Sequence, residues 1–234
     1  MVLTGTIVNT IAIIFGGIIG SFLSNIPQQI RNTVMQGIGL AVIIQGITMG
    51  LKTQNFLLVI FSLVLGGIIG EYLKIEDRLD RLGRWIEEKV GGKSKGSIAN
   101  AFVTATLVYT IGAMAILGSL NSGLNLDHSL LYLKAMLDGF SAIIFASTLG
   151  IGVIFSAIPV FIYQGTIALL ATYIHSFISK DLLDQMIVEI TATGGILIIA
   201  IAINILEFKK INVANMLPAI VIAPLGVAII KLFF

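Results

Sequence analysis

The sequence predicts an all-α integral membrane protein of about eight transmembrane helices. Three observations carry that prediction. The chain is 57% hydrophobic and only 11% charged, whereas about a quarter of the residues in an ordinary soluble domain are charged. Its mean hydropathy is +1.04. Several apolar runs also reach the ~20 residues a helix needs to cross the hydrocarbon of a bilayer.

The eight spans fall at roughly 2–23, 34–51, 55–73, 99–119, 131–154, 158–177, 185–206 and 213–233. Helices are expected for all of them, because lipid leaves every backbone N–H and C=O to be satisfied inside the segment. A transmembrane barrel would instead alternate over ten-residue stretches. No Lys or Arg precedes Arg31, so the first run lacks the basic lead of a signal peptide and reads as the first span. Pro159 and short polar punctuation mark a tight hairpin between the fifth and sixth spans. By sequence the chain divides into a three-helix segment, 1–73, a polar insert, 74–98, and a five-helix segment, 99–234, all within one membrane domain.

Basic residues set the expected orientation. With 24–33, 74–98 and 207–212 inside, the cytoplasmic side of the bacterial inner membrane holds Arg31, Lys74, Arg78, Arg81, Arg84, Lys89, Lys93, Lys95, Lys209 and Lys210. The opposite side holds Lys52, Lys134, Lys180 and Lys231. That bias follows the positive-inside rule and puts both termini outside the cytoplasm.

The insert is the one soluble-looking piece. Ile75, Leu79, Leu82, Ile86 and Val90 recur every three or four residues between charges, so 74–90 reads as an amphipathic helix in the interfacial plane, with Trp85 near the headgroups. Lys93, Lys95 and the neighbouring glycines read as a flexible link. The helix serves either as a topological anchor or as a partner-binding surface. Its interleaved acids argue against nucleic acid as a partner.

Glycine patterns recur. Phe15-Gly-Gly-Ile-Ile-Gly-Ser-Phe returns as Leu65-Gly-Gly-Ile-Ile-Gly-Glu-Tyr, with looser echoes at Thr148-Leu-Gly-Ile-Gly-Val and Ala223-Pro-Leu-Gly-Val. Gln36-Gly-Ile-Gly resembles Tyr109-Thr-Ile-Gly and, more loosely, Ala192-Thr-Gly-Gly. Internal repeats, inverted as in many secondary transporters, are one reading; chance matches in apolar sequence are the other. Gly16 with Gly20, Gly46 with Gly50, and Gly66 with Gly70 each share a helix face and suit close helix packing, within one subunit or between copies. Gly194, Gly195, Pro218 and Pro224 are the candidates for helix breaks.

Ionisable groups inside spans are expensive and mark function by default. Asp138 lies in the fifth span, roughly 10 Å below the outer boundary at 1.5 Å per residue. Lys134, one turn earlier, is positioned to pair with it. A structural ion pair and a cation- or proton-coupling carboxylate are the two readings. Glu189 in the seventh span is the second candidate, and the two carboxylates would share a vestibule if their helices meet. Thr191 and Thr193 offer hydroxyl ligands or bond back to their own helix. Gln164 opens a polar stretch in the sixth span. Asn9, Gln36, Gln45, Asn100 and Asn204 suit interhelical hydrogen bonds or a polar path. His128 and Asp127 read as loop residues and His175 as interfacial, so no metal site is expected.

The chain has no cysteine and no metalloprotease or nucleotide-binding motif, so no cofactor and no enzymatic activity are expected. Gly5-Thr-Ile-Val-Asn-Thr, Phe15-Gly-Gly-Ile-Ile-Gly and Lys134-Ala-Met-Leu-Asp-Gly-Phe resemble the YqgA/YdfK-type family of bacterial multipass membrane proteins. The resemblance spans the whole chain and implies membrane localisation, without a substrate or catalytic residues. The expected function is a small secondary transporter or ion-coupled carrier of an unidentified solute or ion. An ion channel and a membrane scaffold or sensor built on the amphipathic helix are the alternatives.

Overall fold

A computed structural model describes residues 1–23, 27–90 and 97–233, apart from the side chains of Gln28, Arg31, Ile86, Glu87, Val90 and Ser97. The helices are α1 (Thr4–Phe22), α2 (Gln28–Gly50), α3 (Phe56–Leu73), α4 (Ile75–Val90), α5 (Ser97–Thr110) and α6 (Ala113–Asn125). They continue with α7 (Ser129–Leu149), α8 (Gly152–Phe155), α9 (Ala157–Phe177), α10 (Lys180–Ile205) and α11 (Ala219–Phe233), with a 3-10 turn at Val213–Met216 before the last. Among the described residues, seven spans are long and apolar enough to cross a membrane, with α8 joined to α9 and the 3-10 turn to α11. The pair α5 and α6, bent by 61°, makes an eighth if it crosses as one broken span and is otherwise a re-entrant loop. The chain is therefore an all-α multipass membrane protein.

Side-chain chemistry sets the helix boundaries. Asn55 caps α3 by accepting from the N–H of Leu58 at 3.1 Å, and Ser179 caps α10 through the N–H of Leu182. Lys74, left-handed at φ 52°, turns the chain from α3 into the charged α4. The amphipathic helix expected at 74–90 forms as α4 (Ile75–Val90), with Leu82 and Trp85 exposed; the link expected around Lys93 and Lys95 lies outside the described residues.

Three of the expected breaks are corrected. Helix α10 runs unbroken through Gly194 and Gly195. These glycines make room for neighbours instead: a Cβ at Gly194 would strike Ile111, and one at Gly195 would lie 2.6 Å from the Gly46 carbonyl oxygen. Helix α11 likewise continues past Pro224, while Pro218 does sit where the 3-10 turn gives way to α11. The turn expected at Pro159 falls at Gly150, where φ is +100°. Pro159 lies in the first turn of α9, where its missing N–H has no intrahelical partner to lose. The bend that sequence reasoning did not place is at Gly112, whose φ of +139° an L side chain rarely adopts.

By contact the chain forms two units. The first gathers Met1–Val34, Leu79–Thr110 and Met114–Ile174; the second gathers Met35–Arg78, Ile111–Ala113 and His175–Phe234. Helix α1 thus belongs to the first unit, and all of α3, α10 and α11 to the second.

In the first unit, α1 packs along α7. A Cβ at Gly16 would collide with the Gly139 carbonyl oxygen, and one at Gly20 with that of Ile143. Leu131, Ala135, Ala142, Phe145 and Ala146 of α7 face this core. In the second unit, α10 is the most enclosed helix, with 72% of its apolar window buried against 22% for α3. Gly66 and Gly70 of α3 approach the backbone of Ala219 and Asn215, while Gly46 of α2 approaches Gly195. Gly50 makes an ordinary contact, 3.9 Å to Ile196. These glycine faces join helices of one chain. Large apolar side chains such as Phe56, Leu57, Ile60, Phe61, Val64 and Ile68 of α3 remain exposed, as expected of a surface solvated by lipid tails.

Candidate functional site

The first unit holds a polar cluster where three apolar helices meet. Helix α1 buries Thr6, Asn9, Ile13, Gly16 and Gly20 at helical spacing, so one face carries both polar groups and close-packing glycines. Gly139 lets α7 approach Ala12 of α1, with 3.2 Å between a Cβ built there and that of Ala12. That approach brings Asn9 to Asp138.

Lys134 Nζ donates to Asp138 Oδ1 at 2.9 Å and lies 2.8 Å from Oδ2. Asn9 Nδ2 donates to Asp138 Oδ2 at 3.0 Å and to Gln164 Oε1 of α9 at 3.3 Å. Asp138 is 6% exposed, Lys134 7%, and Asn9 and Gln164 are fully buried. An ionised carboxylate only accepts, so Asn9 must present its amide NH₂ to Asp138, and Gln164 must then present its oxygen to Asn9. Asn9 Oδ1 and Gln164 Nε2 are left over. Both are buried without a hydrogen-bond partner among the described residues, as are Thr6 Oγ1 and Tyr109 OH. Thr6 is one turn from Asn9, and its methyl faces Gly165, the neighbour of Gln164. Tyr109 of α5 lies within electrostatic reach of Asp138 and sets its ring 6.2 Å from Phe145 of α7. A buried polar group without a partner costs about 1–3 kcal/mol, so these four atoms are expensive unless water or a ligand meets them.

The second unit holds Glu189, 3% exposed. Its Oε2 accepts from the Thr53 hydroxyl at 2.6 Å, and its Oε1 accepts from the N–H groups of Gln54 at 2.9 Å and Asn55 at 3.2 Å. Glu189 therefore closes the turn that leads into α3. Thr191 donates to Ile187 of its own helix, while Thr193 Oγ1 is buried and unpartnered among the described residues. Beside Glu189 lies a cleft of about 290 Å³ lined by Gln54, Asn55, Gln185 and the Lys231–Asp181 ion pair, among others. Asp138 and Glu189 thus fall in different units, each with partners from its own.

Other polar residues hold turns. Asn204 clasps Ile211 by donating to its carbonyl and accepting from its N–H, both at 2.8 Å. His128 Nδ1 meets the Ser122 hydroxyl at 2.7 Å. The Ser129 hydroxyl and N–H donate to Asp127 and hold its carboxyl below the usual carboxylate range. Gln36, Gln45, Asn100 and His175 are exposed.

Sequence reasoning singled out Asp138, Lys134 and Gln164, which the fold brings together through Asn9. It did not place Thr6 or Tyr109 beside them. The signal for Thr6 was available: residues 5, 6, 9, 13, 16 and 20 trace one face of α1. Tyr109 offered no comparable signal, because it meets Phe145 across two different helices, α5 and α7.

A family model described as "Protein of unknown function (DUF554)" matches residues 4–228. The uncharacterized membrane protein YdfK of Bacillus subtilis (strain 168) is 37% identical over 234 residues, covering 98% of this chain and 97% of its own. The uncharacterized protein YqgA of Escherichia coli (strain K12) is 32% identical over 233 residues, covering 96% of each. No solved structure matches.

Proposed function

This chain belongs to the DUF554 family of bacterial multipass membrane proteins, and on that footing we propose that it is a small ion-coupled secondary carrier with Asp138 as the coupling group. One observation carries the reading. A mid-span carboxylate is joined to side chains from three helices and neighboured by buried polar atoms that have no partner among the described residues. A purely structural Lys134–Asp138 pair accounts for the Asn9 bond but not for the unpartnered Asn9 Oδ1 and Gln164 Nε2 beside it. In this reading the protein moves an ion or solute and performs no covalent chemistry.

The basic-residue bias supports an orientation with 74–98 in the cytoplasm and both termini outside. The chain lacks cysteine, so single cysteines at positions 87 and 127 would report sidedness with an impermeant thiol reagent. Labelling of 127 from outside and of 87 only after lysis is expected; the reverse rejects the orientation.

The carrier reading is tested by gradient-driven flux in proteoliposomes. Asp138→Asn is expected to abolish coupled flux while the protein stays monodisperse and helical. Unchanged flux in the folded variant rejects Asp138 as the coupling group.

A further inference from the structure

The cleft beside Glu189 carries two kinds of lining. Asp181, Gln185 and Glu189 recur at every fourth position of α10, so they form one polar ladder along a helix face. Leu58 of α3 and Val227 and Ile230 of α11 supply an apolar wall. Gly226 lets those two helices close, because a Cβ there would strike Leu58. Lys231, one turn beyond Val227, pairs with Asp181, and both are exposed. Glu189, two turns further along α10, is buried.

Charge, spacing and size narrow what can occupy it. Two carboxylates and one ammonium leave the lining with one net negative charge. Lys231 is held by Asp181, and among the described residues Glu189 makes no ion pair. The three donors to Glu189 are dipoles, which lower the cost of burying its charge but leave that charge in place. A monovalent cation would neutralise the lining, whereas an anion would double its charge. The two carboxylates are eight residues apart on α10, about 12 Å at 1.5 Å per residue, whereas a divalent ion gathers its oxygens within about 2.6 Å. No group of three or more His, Asp or Glu residues able to hold a metal occurs among the described residues. An inorganic ion would also leave the apolar wall unused, while an alkyl chain laid against that wall leaves water. The cleft holds about 290 Å³, against ~150 Å³ for an engineered cavity that binds benzene.

We propose that this cleft binds a small organic ammonium ion, with its charged group along the Asp181–Gln185–Glu189 ladder and its alkyl part against Leu58, Val227 and Ile230. The Lys231 ammonium opposes the ligand, because it is the one like charge in the lining. A lipid ethanolamine headgroup carries the same ammonium but adds a phosphate that a negative lining repels, so the occupant is a soluble amine. The site lies wholly in the second unit, apart from Asp138. Its ligand is not the cargo coupled to Asp138, and the assignment does not rest on the carrier reading.

The test reads ligand-induced stabilisation. Purified protein in nonionic detergent is melted with n-butylammonium chloride, methylammonium chloride or sodium butyrate, each against sodium chloride at equal ionic strength. Butylammonium should raise the melting temperature saturably, as a ligand of the folded state does. Methylammonium should need a higher concentration, and butyrate should have no effect. Lys231→Gln removes the opposing charge and should tighten butylammonium binding, while Asp181→Asn should weaken it. Each change should be on the order of fivefold, as for one unit charge at 4 Å in water. Both side chains are exposed, so both variants should fold, and each is compared with itself without ligand.

No saturable shift of the wild-type protein with butylammonium overturns the proposal, as does an equal shift with butyrate. Affinity that stays the same in Lys231→Gln and in Asp181→Asn also overturns it, because the ligand then sits elsewhere. A shift with dihexanoyl phosphatidylethanolamine but none with butylammonium replaces the soluble amine by a lipid headgroup and rejects the assignment. None of these outcomes bears on flux through Asp138→Asn, so the carrier reading stands or falls on its own measurement.

Discussion

Asp138 and Glu189 are both buried carboxylates in long apolar helices, yet their surroundings differ in kind. Glu189 accepts from a hydroxyl and two backbone N–H groups of one short turn, so its charge is matched by dipoles that the turn would otherwise leave unsatisfied. Asp138 is held by the Lys134 ammonium and by an amide whose other end is open. Burial and charge alone therefore do not distinguish a latch from the coupling group proposed at Asp138. The distinction lies in whether the partners are complete.

The largest expected effect follows from removing one charge of the pair. Lys134→Met leaves Asp138 buried beside a neutral amide and should cost about 3–5 kcal/mol of stability. The double variant Lys134→Met/Asp138→Leu should recover most of that loss while remaining without flux. Unfolding titrations in mixed micelles give both values. A double variant as unstable as the single one would mean that the cluster is chiefly a structural pair and would erase the contrast with Glu189.

Glu189→Gln sharpens the contrast from the other side. The glutamine oxygen still accepts, but its NH₂ meets N–H or O–H donors, and an unsatisfied buried group costs about 1–3 kcal/mol. Stability should fall by that order while flux per folded molecule is retained. Loss of flux at undiminished stability would give Glu189 the role assigned here to Asp138.

How far the sequence reached depended on the range of the forces involved. Spans were legible because bilayer thickness and backbone satisfaction act along the chain: the expected 55–73 is α3 at 56–73, and the expected 213–233 is the 3-10 turn plus α11. The Lys134–Asp138 pair was legible because both lie on one helix, four residues apart. Asn9 meets Asp138 across 129 positions, and one chain's residue order carries no mark of that meeting. Glycine was the main source of misplacement. Gly194 and Gly195 look like a break but accommodate neighbours, whereas the isolated Gly112 makes the sharp bend, because its φ and not its count decides.

The turn that closes the second unit provides a smaller test of the latch concept. Asn204 makes two hydrogen bonds to Ile211. Asn204→Ala should cost about 1–3 kcal/mol, given a net contribution of about 0.5–1.5 kcal/mol per bond. Flux should be unaffected once folded protein is normalised, since a latch supports the fold and does not take part in transport.

The smallest effect expected separates two glycines of one face. A Cβ at Gly46 would lie 2.7 Å from the Gly195 carbonyl oxygen, a backbone atom that has no rotamer to yield, so Gly46→Ala should destabilise by about 1–3 kcal/mol. At Gly50 the nearest atom, Ile196 Cγ1, is 3.9 Å away. Gly50→Ala gains helix propensity and should be neutral or stabilising by about 1 kcal/mol at most. Melting both variants in the same detergent checks the pair. If the two melted alike, backbone approach between α2 and α10 would not be what their glycines provide, and the second unit would owe its packing to side chains, in contrast with the Gly16 and Gly20 contacts of the first.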